Sequence, residues 1–128
     1  MMIDELDEIV EYATYRFGDS LRVVGYVTEN ERHSTVMRDD VAEQYDAAEL
    51  DRIRDELVLS TIDHDHQENL YAMGTPQATV RVFEEAVLVA FDNPDENAAI
   101  IVSLDIDVDC SLVEFVTECR ARFDGGGG

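Results

Sequence analysis

The densest run of metal-ligating side chains in this 128-residue sequence is Asp63-His64-Asp65-His66. Imidazole and carboxylate are natural ligands for zinc and other transition metals. On a helix, residues two apart point about 200° from one another, so His64 and His66 would not face one ion. On an extended segment they share a side. No third ligand adjoins them, although Glu68 or His33 could approach in space. By ligand count the run is expected to be a solvated polar loop, with these four residues as weak metal candidates.

Asp105-Ile106-Asp107-Val108-Asp109 would align three carboxylates if extended, a set suited to a hard cation. It fails as an EF-hand loop, because Cys110 stands at the glycine position and Val116 at the closing glutamate. A solvated strand end followed by a helix cap accounts for it. If Cys110 and Cys119 share a C-terminal helix, nine residues place them on opposite faces, about 13 Å apart along the axis. That is beyond disulfide reach. Cys119 falls on an apolar stripe and reads as core. Cys110 sits at a helix start, where a thiolate can be stabilised, so a reactive thiol is open there. Nothing in the sequence sets a base near it. The chain has no nucleophile elbow, no P-loop and no dinucleotide-binding glycine motif. It also has no lysine, which excludes a Schiff-base or Walker lysine. The expectation is therefore no catalytic residue, no cofactor-binding residue and no enzymatic activity.

Thirty acidic residues stand against nine arginines, for a formal net charge of -21. The acids run from Asp4 to Asp124, interleaved with apolar residues that make up 45% of the chain. A disordered acidic tail would block them together instead. Such charge makes a compact state repel itself in dilute buffer. At about 1 M salt the Debye length falls to roughly 3 Å, and neighbouring carboxylates barely interact. Nucleic-acid phosphate and anionic lipid are poor partners for this surface, and an arginine-bearing protein is a better one. Met1 to Glu11 lacks a basic n-region, and no apolar run approaches the roughly 20 residues that span a bilayer. A cytoplasmic protein is expected, with neither membrane nor nucleic acid as partner.

Helical spacing of Ile3, Leu6, Val10, Ala13 and Phe17 predicts a first helix ending at Gly18. Tyr12 and Tyr15 lie beside that stripe, as core-edge packing or a contact surface. Leu21 to Thr28 and His33 to Arg38 read as paired strands, with Gly25 marking a bulge or a close backbone approach. Helical pattern resumes at Asp39. Asp46 to Glu49 has the acidic form of a capping box, and Leu50, Ile53 and Leu57 follow as a stripe. Thr61 to Asn69 reads as a polar loop or a helical extension, and Leu70 to Met73 as a short apolar return. Ala78 to Phe83, Ala86 to Phe91 and Ala98 to Leu104 are three further strands. The last two lack alternation and should lie centrally, buried on both faces. Ser111 to Glu114 is a capping box that opens a helix with Leu112, Phe115, Val116, Cys119 and Phe123 as its stripe. The expected fold class is α+β: an antiparallel five-stranded sheet with helices on its faces, in the order α-β-β-α-β-β-β-α. It is a single domain over residues 1–124, and 125–128 form a flexible glycine tail. The terminal helices should cover one face, and the middle helix should cover the other or meet a partner.

This order resembles the roadblock/LC7 group within the profilin-like architecture. The stretches nearest it in style are Val80 to Phe83, Ala86 to Ala90 and Ala99 to Leu104 leading into the helix from Leu112. The charge pattern resembles cytoplasmic proteins of salt-in halophilic archaea, and a halophile-restricted family of unknown function is the other assignment. The roadblock resemblance implies a homodimer paired through the middle helix and a neighbouring sheet edge, which points to Leu50, Ile53 and Leu57 as interface residues. It also implies a scaffold or regulator of a small GTPase. The reading is thus a non-enzymatic interaction or regulatory module, with a small-molecule or metal-binding sensor as the alternative. The fold is expected to be lost as KCl is withdrawn. Equal thermal midpoints by circular dichroism in dilute and in multimolar KCl would contradict this.

Overall fold

Apolar residues at helical spacing build the first element, α1 (Met2–Phe17). The face it buries is centred on Leu6, Ile9, Ala13 and Phe17. Val10 flanks that face and is half-buried, so the stripe runs through Ile9 rather than Val10. Gly18 ends the helix with φ +51°, in the left-handed region where glycine has no Cβ penalty. In this computed structural model, residues 2–62, 72–74, 77–93 and 98–125 are described.

Two strands follow, β1 (Leu21–Thr28) and β2 (Arg32–Met37). Their register slips between Val24 and Gly25. The same glycine lies so close to β2 that a Cβ there would collide with the His33 carbonyl oxygen. Gly25 therefore serves both a bulge and a close approach, and its neighbour is the protein's own backbone.

The predicted middle helix divides into α2 (Asp39–Gln44) and α3 (Ala47–Ile62). The break lies at Tyr45, which is extended at φ -125° and ψ 133°. Asp46 then caps α3: its Oδ1 accepts from the Glu49 backbone N–H at 2.7 Å, and Glu49 Oε1 accepts from the Asp46 N–H at 3.0 Å. A reciprocal cap satisfies donors that would otherwise end the helix unpaired.

The remaining strands are β3 (Thr79–Val82), β4 (Ala86–Asn93) and β5 (Ala98–Asp105), and α4 (Leu112–Gly125) closes the described chain. β3 is shorter than its apolar run, because Phe83 already begins the hairpin turn, its N–H donating to the Ala86 carbonyl. The sheet is antiparallel throughout, in the order β2-β1-β5-β4-β3. The two strands without alternation, β4 and β5, are both interior, as expected.

Helices α1 and α4 cover one face of this sheet. Val24, Val89, Ile100, Val102 and Leu104 meet Leu6, Ile9 and Phe115 there. Phe115 is the hub, edge-on to Phe17 at 5.1 Å and to Phe91 at 6.2 Å, and stacked on Tyr12 at 6.0 Å. Helix α3 covers the other face, where Leu57 and Val58 pack on Val27 and Ala99.

One arginine ties the strand ends together. Arg38 donates two hydrogen bonds to Asp105 at the end of β5, at 2.8 and 2.9 Å. It also reaches Asp40 in α2 at 2.6 Å and the Asp19 carbonyl at 2.7 Å. Forked pairing of this kind is the strong form of a charged contact. The hydrogen bond from Arg38 holds the Asp105 carboxyl below the usual carboxylate range, against the opposing effect of burial. A carboxyl depressed in the folded state stabilises the fold above its unfolded pKa, and the contribution is lost as pH falls through the folded value. Arg38→Gln should cost about 1–2 kcal/mol near neutral pH, allowing for partial exposure. The difference from wild type should shrink as pH falls below about 4, where the Asp105 carboxyl of the unfolded chain takes up its proton first. Chemical denaturation across that pH range, at constant multimolar KCl, checks both.

Candidate functional site

The two faces of the sheet are covered unequally, and this opens a cleft. Leu57 and Val58, in the C-terminal half of α3, seat that helix on β1 and β5. Leu50 and Ile53, in its N-terminal half, line an open space of about 620 Å³, which also reaches Leu57. Sheet residues that line it, among them buried Val23 and half-buried Leu88 and Ile101, form an apolar floor. Ser103 adds a hydroxyl to it. The volume lies within the range of small-molecule pockets.

Charge in the cleft departs from the rest of the chain. Arg22, Arg32, Arg54 and Arg81 line it, against the acids Glu56, Glu84 and Glu85. Four arginines to three acids contrasts with nine to thirty over the whole sequence. Arg22 on β1 is the most enclosed, its side chain 12% exposed. Its Nε donates to Ser103 Oγ at 3.2 Å and its Nη2 to Gln44 Oε1 at 3.4 Å, which holds it against the sheet. Arg32 on β2 donates from Nε to Asp51 Oδ1 at 2.8 Å. That same oxygen lies 3.7 Å from Arg54 Nη1 on α3. The Arg32 hydrogen bond, with the nearby Arg54 charge, holds the Asp51 carboxyl below the usual carboxylate range. Arg54 also pairs with Asp55 at 3.0 Å, and Arg81 on β3 pairs with Glu56 on α3. The chemistry available is recognition of negative charge beside an apolar surface, since a guanidinium keeps its proton and forks well onto carboxylate or phosphate.

The residues singled out in the sequence fall elsewhere or into these walls. Asp63, His64, Asp65 and His66 lie outside the described residues. Asp105 is held by Arg38, with Arg22 at 3.8 Å, and Asp107 and Asp109 are exposed. Among the described residues no group of three His, Cys, Asp or Glu side chains could hold a metal ion. Leu50 is half-buried and Ile53 is 36% exposed, both in the cleft wall, and Leu57 also lines the cleft although it is only 1% exposed. Tyr15 is fully presented to solvent and Tyr12 packs on the core. The arginine cluster was missed because its members are far apart in sequence. A signal was present: Arg22 and Arg81 each stand as the one charge within a strand.

Cys110 and Cys119 are both free thiols. Burial pushes the Cys110 thiol up, with Arg16 opposing and Asp109 and Glu114 adding to the rise. Burial pushes Cys119 up to about 12.

A comparison with known families identifies the chain as a member of one: the family described as "Domain of unknown function (DUF7522)" matches residues 7–124. No curated protein sequence matches the chain. No described helix is long and apolar enough to cross a membrane.

Since the thiolate is the nucleophile, both cysteines should alkylate more slowly than free cysteine near pH 8, with Cys110 ahead of buried Cys119. Timed iodoacetamide treatment with peptide mass spectrometry measures this. Faster reaction at Cys110 than at free cysteine would restore the reactive-thiol reading.

Proposed function

We propose that this domain is a non-enzymatic binding module whose ligand site is the cleft between α3 and the sheet. The observation that carries the reading is an apolar floor bounded by arginines, in a chain otherwise dominated by acids. A pocket of this size with a few convergent polar groups is the default binding site of a small domain. The charged groups lining it are arginines and glutamates with His33, which lies against the Tyr26 ring at 5.5 Å. Arginine at such a site orients and holds an anion; it does not shuttle protons at neutral pH. The dispersed acidic surface supports a salt-rich solvent for this binding, such as the cytoplasm of a salt-in archaeon.

A second reading has its own support. In a roadblock-like module the protein would act as a homodimer and as a scaffold or regulator of a small GTPase. Strand β3 is one of the two edges of the sheet, and Val82 in it and Phe83 in the turn that follows are 67% and 54% exposed. A sheet edge carrying exposed apolar residues is a template for pairing with another chain. Sedimentation in multimolar KCl tests this: a dimer that Val82→Arg dissociates supports it, and a monomer at all concentrations contradicts it.

For the cleft itself, a screen of small organic molecules by methyl NMR should shift Ile53, Leu88 and Ile101 together. Ile53→Glu should remove those shifts while leaving the Phe115 side of the core unmoved. A broad library that leaves all three methyl groups unperturbed would overturn the binding-module reading.

A further inference from the structure

We infer that the cleft takes an organic carboxylate with an apolar body, and that its carboxylate replaces the Asp51 side chain between Arg32 and Arg54. This rests on the cleft being the ligand site. Asp51 Oδ1 sits 2.8 Å from Arg32 Nε and 3.7 Å from Arg54 Nη1, so the chain already presents a carboxylate oxygen to both guanidiniums. Both arginines line the cleft. The two sides of the contact are not equally held. The Arg54 side chain is 19% exposed and Arg32 34%, while Asp51 is 49% exposed. Asp51 can turn to water with little loss, because an exposed ion pair contributes little to stability. A carboxylate arriving from the cleft would make the same bonds from the less exposed side.

Exchange keeps a single carboxylate between the two guanidiniums, while the displaced Asp51 stays tethered beside them. The bound ligand still adds one negative charge to a chain of net charge -21, and multimolar salt screens the repulsion it meets. A guanidinium has five N–H donors. Arg32 uses one on Asp51, and Arg54 uses Nε and Nη2 on Asp55, so both keep donors for an incoming group. The apolar body of the ligand would lie on the floor residues Leu88 and Ile101, against Ile53 in the wall. Salt at multimolar levels removes long-range attraction but leaves direct, short contacts and apolar burial. Asp51 in this arrangement is a built-in competitor that sets the threshold for binding.

The test uses the full chain in multimolar KCl, with decanoate and decanol as probes, read by calorimetry and by the same methyl shifts. Decanoate is expected to bind about tenfold or more tightly than decanol, since a hydrogen bond to a charged group is the difference between them. Asp51→Asn should tighten decanoate severalfold, while Arg32→Gln with Arg54→Gln should weaken it about tenfold. Glu11→Gln on α1 makes the same charge change away from the cleft and should leave affinity alone. Thermal midpoints of the unliganded variants show whether each is folded. Equal binding of decanoate and decanol, with cleft methyl groups shifting, would overturn the carboxylate inference and keep the binding-module reading. Unchanged or weaker decanoate binding by folded Asp51→Asn would overturn the exchange. No shift at the cleft with either probe would overturn both.

Discussion

Strand β5 must be buried on both faces, and the rest of the molecule follows from how that is done. Its side chains alternate between two packed layers: Ile100, Val102 and Leu104 meet α1 and α4, while Ala99 and Ile101 face α3. Two helices with broad apolar faces close the first layer around Phe115. The second layer has α3, whose apolar stripe is thin, with α2 beside it. Leu57 and Val58 suffice to seat α3 at one end of the sheet. They do not suffice at the other, where small or polar side chains such as Ser103 leave the sheet surface uncovered. The cleft is thus a consequence of unequal covering of a sheet that is apolar on both sides.

Scarcity of positive charge is the second organising fact. Nine guanidiniums serve thirty carboxylates, so an arginine with an ordered position takes its partners from a crowded field. Arg38 joins the end of β5, the first turn of α2 and the turn after α1, which makes it a structural tie. The cleft arginines differ, because they border open space, and their carboxylate partners Asp51, Asp55 and Glu56 are more exposed than they are. Membership of the DUF7522 family covers nearly the whole domain, so the cleft belongs to the matched region rather than to an appendage. All of its lining residues fall within residues 7–124.

Much of the fold was legible in the sequence because its signals are local. Helical spacing in α1 and α4, the reciprocal cap at Asp46 and Glu49, the Ser111 cap and the unalternating runs of β4 and β5 each depend on a few neighbouring residues. Where the local signal was ambiguous, the detail moved. The helical pattern from Asp39 breaks in two because the backbone turns extended at Tyr45, after which Asp46 caps α3. The stripe of α1 is centred on Ile9 because the sheet, not the helix, decides which of two adjacent apolar residues points inward. The cluster Asp105 to Asp109 shows a limit of local reading: Asp105 was expected at a solvated strand end, yet two arginines from elsewhere in the chain hold it.

The sequence by itself determined the acidic charge of the chain, the class of fold, the order of elements and the central place of two strands. Those follow from composition and from interactions between residues a few positions apart. Only the tertiary structure decided where the arginines go. Arg22, Arg32, Arg54 and Arg81 come from three strands and a helix, and span sixty residues of chain. They share a cleft because the order β2-β1-β5-β4-β3 lays those strands beneath one helix, and no local periodicity encodes which strands become neighbours. Convergence of charge is a property of strand pairing across the chain, and strand pairing is settled by burying both faces of the sheet at once.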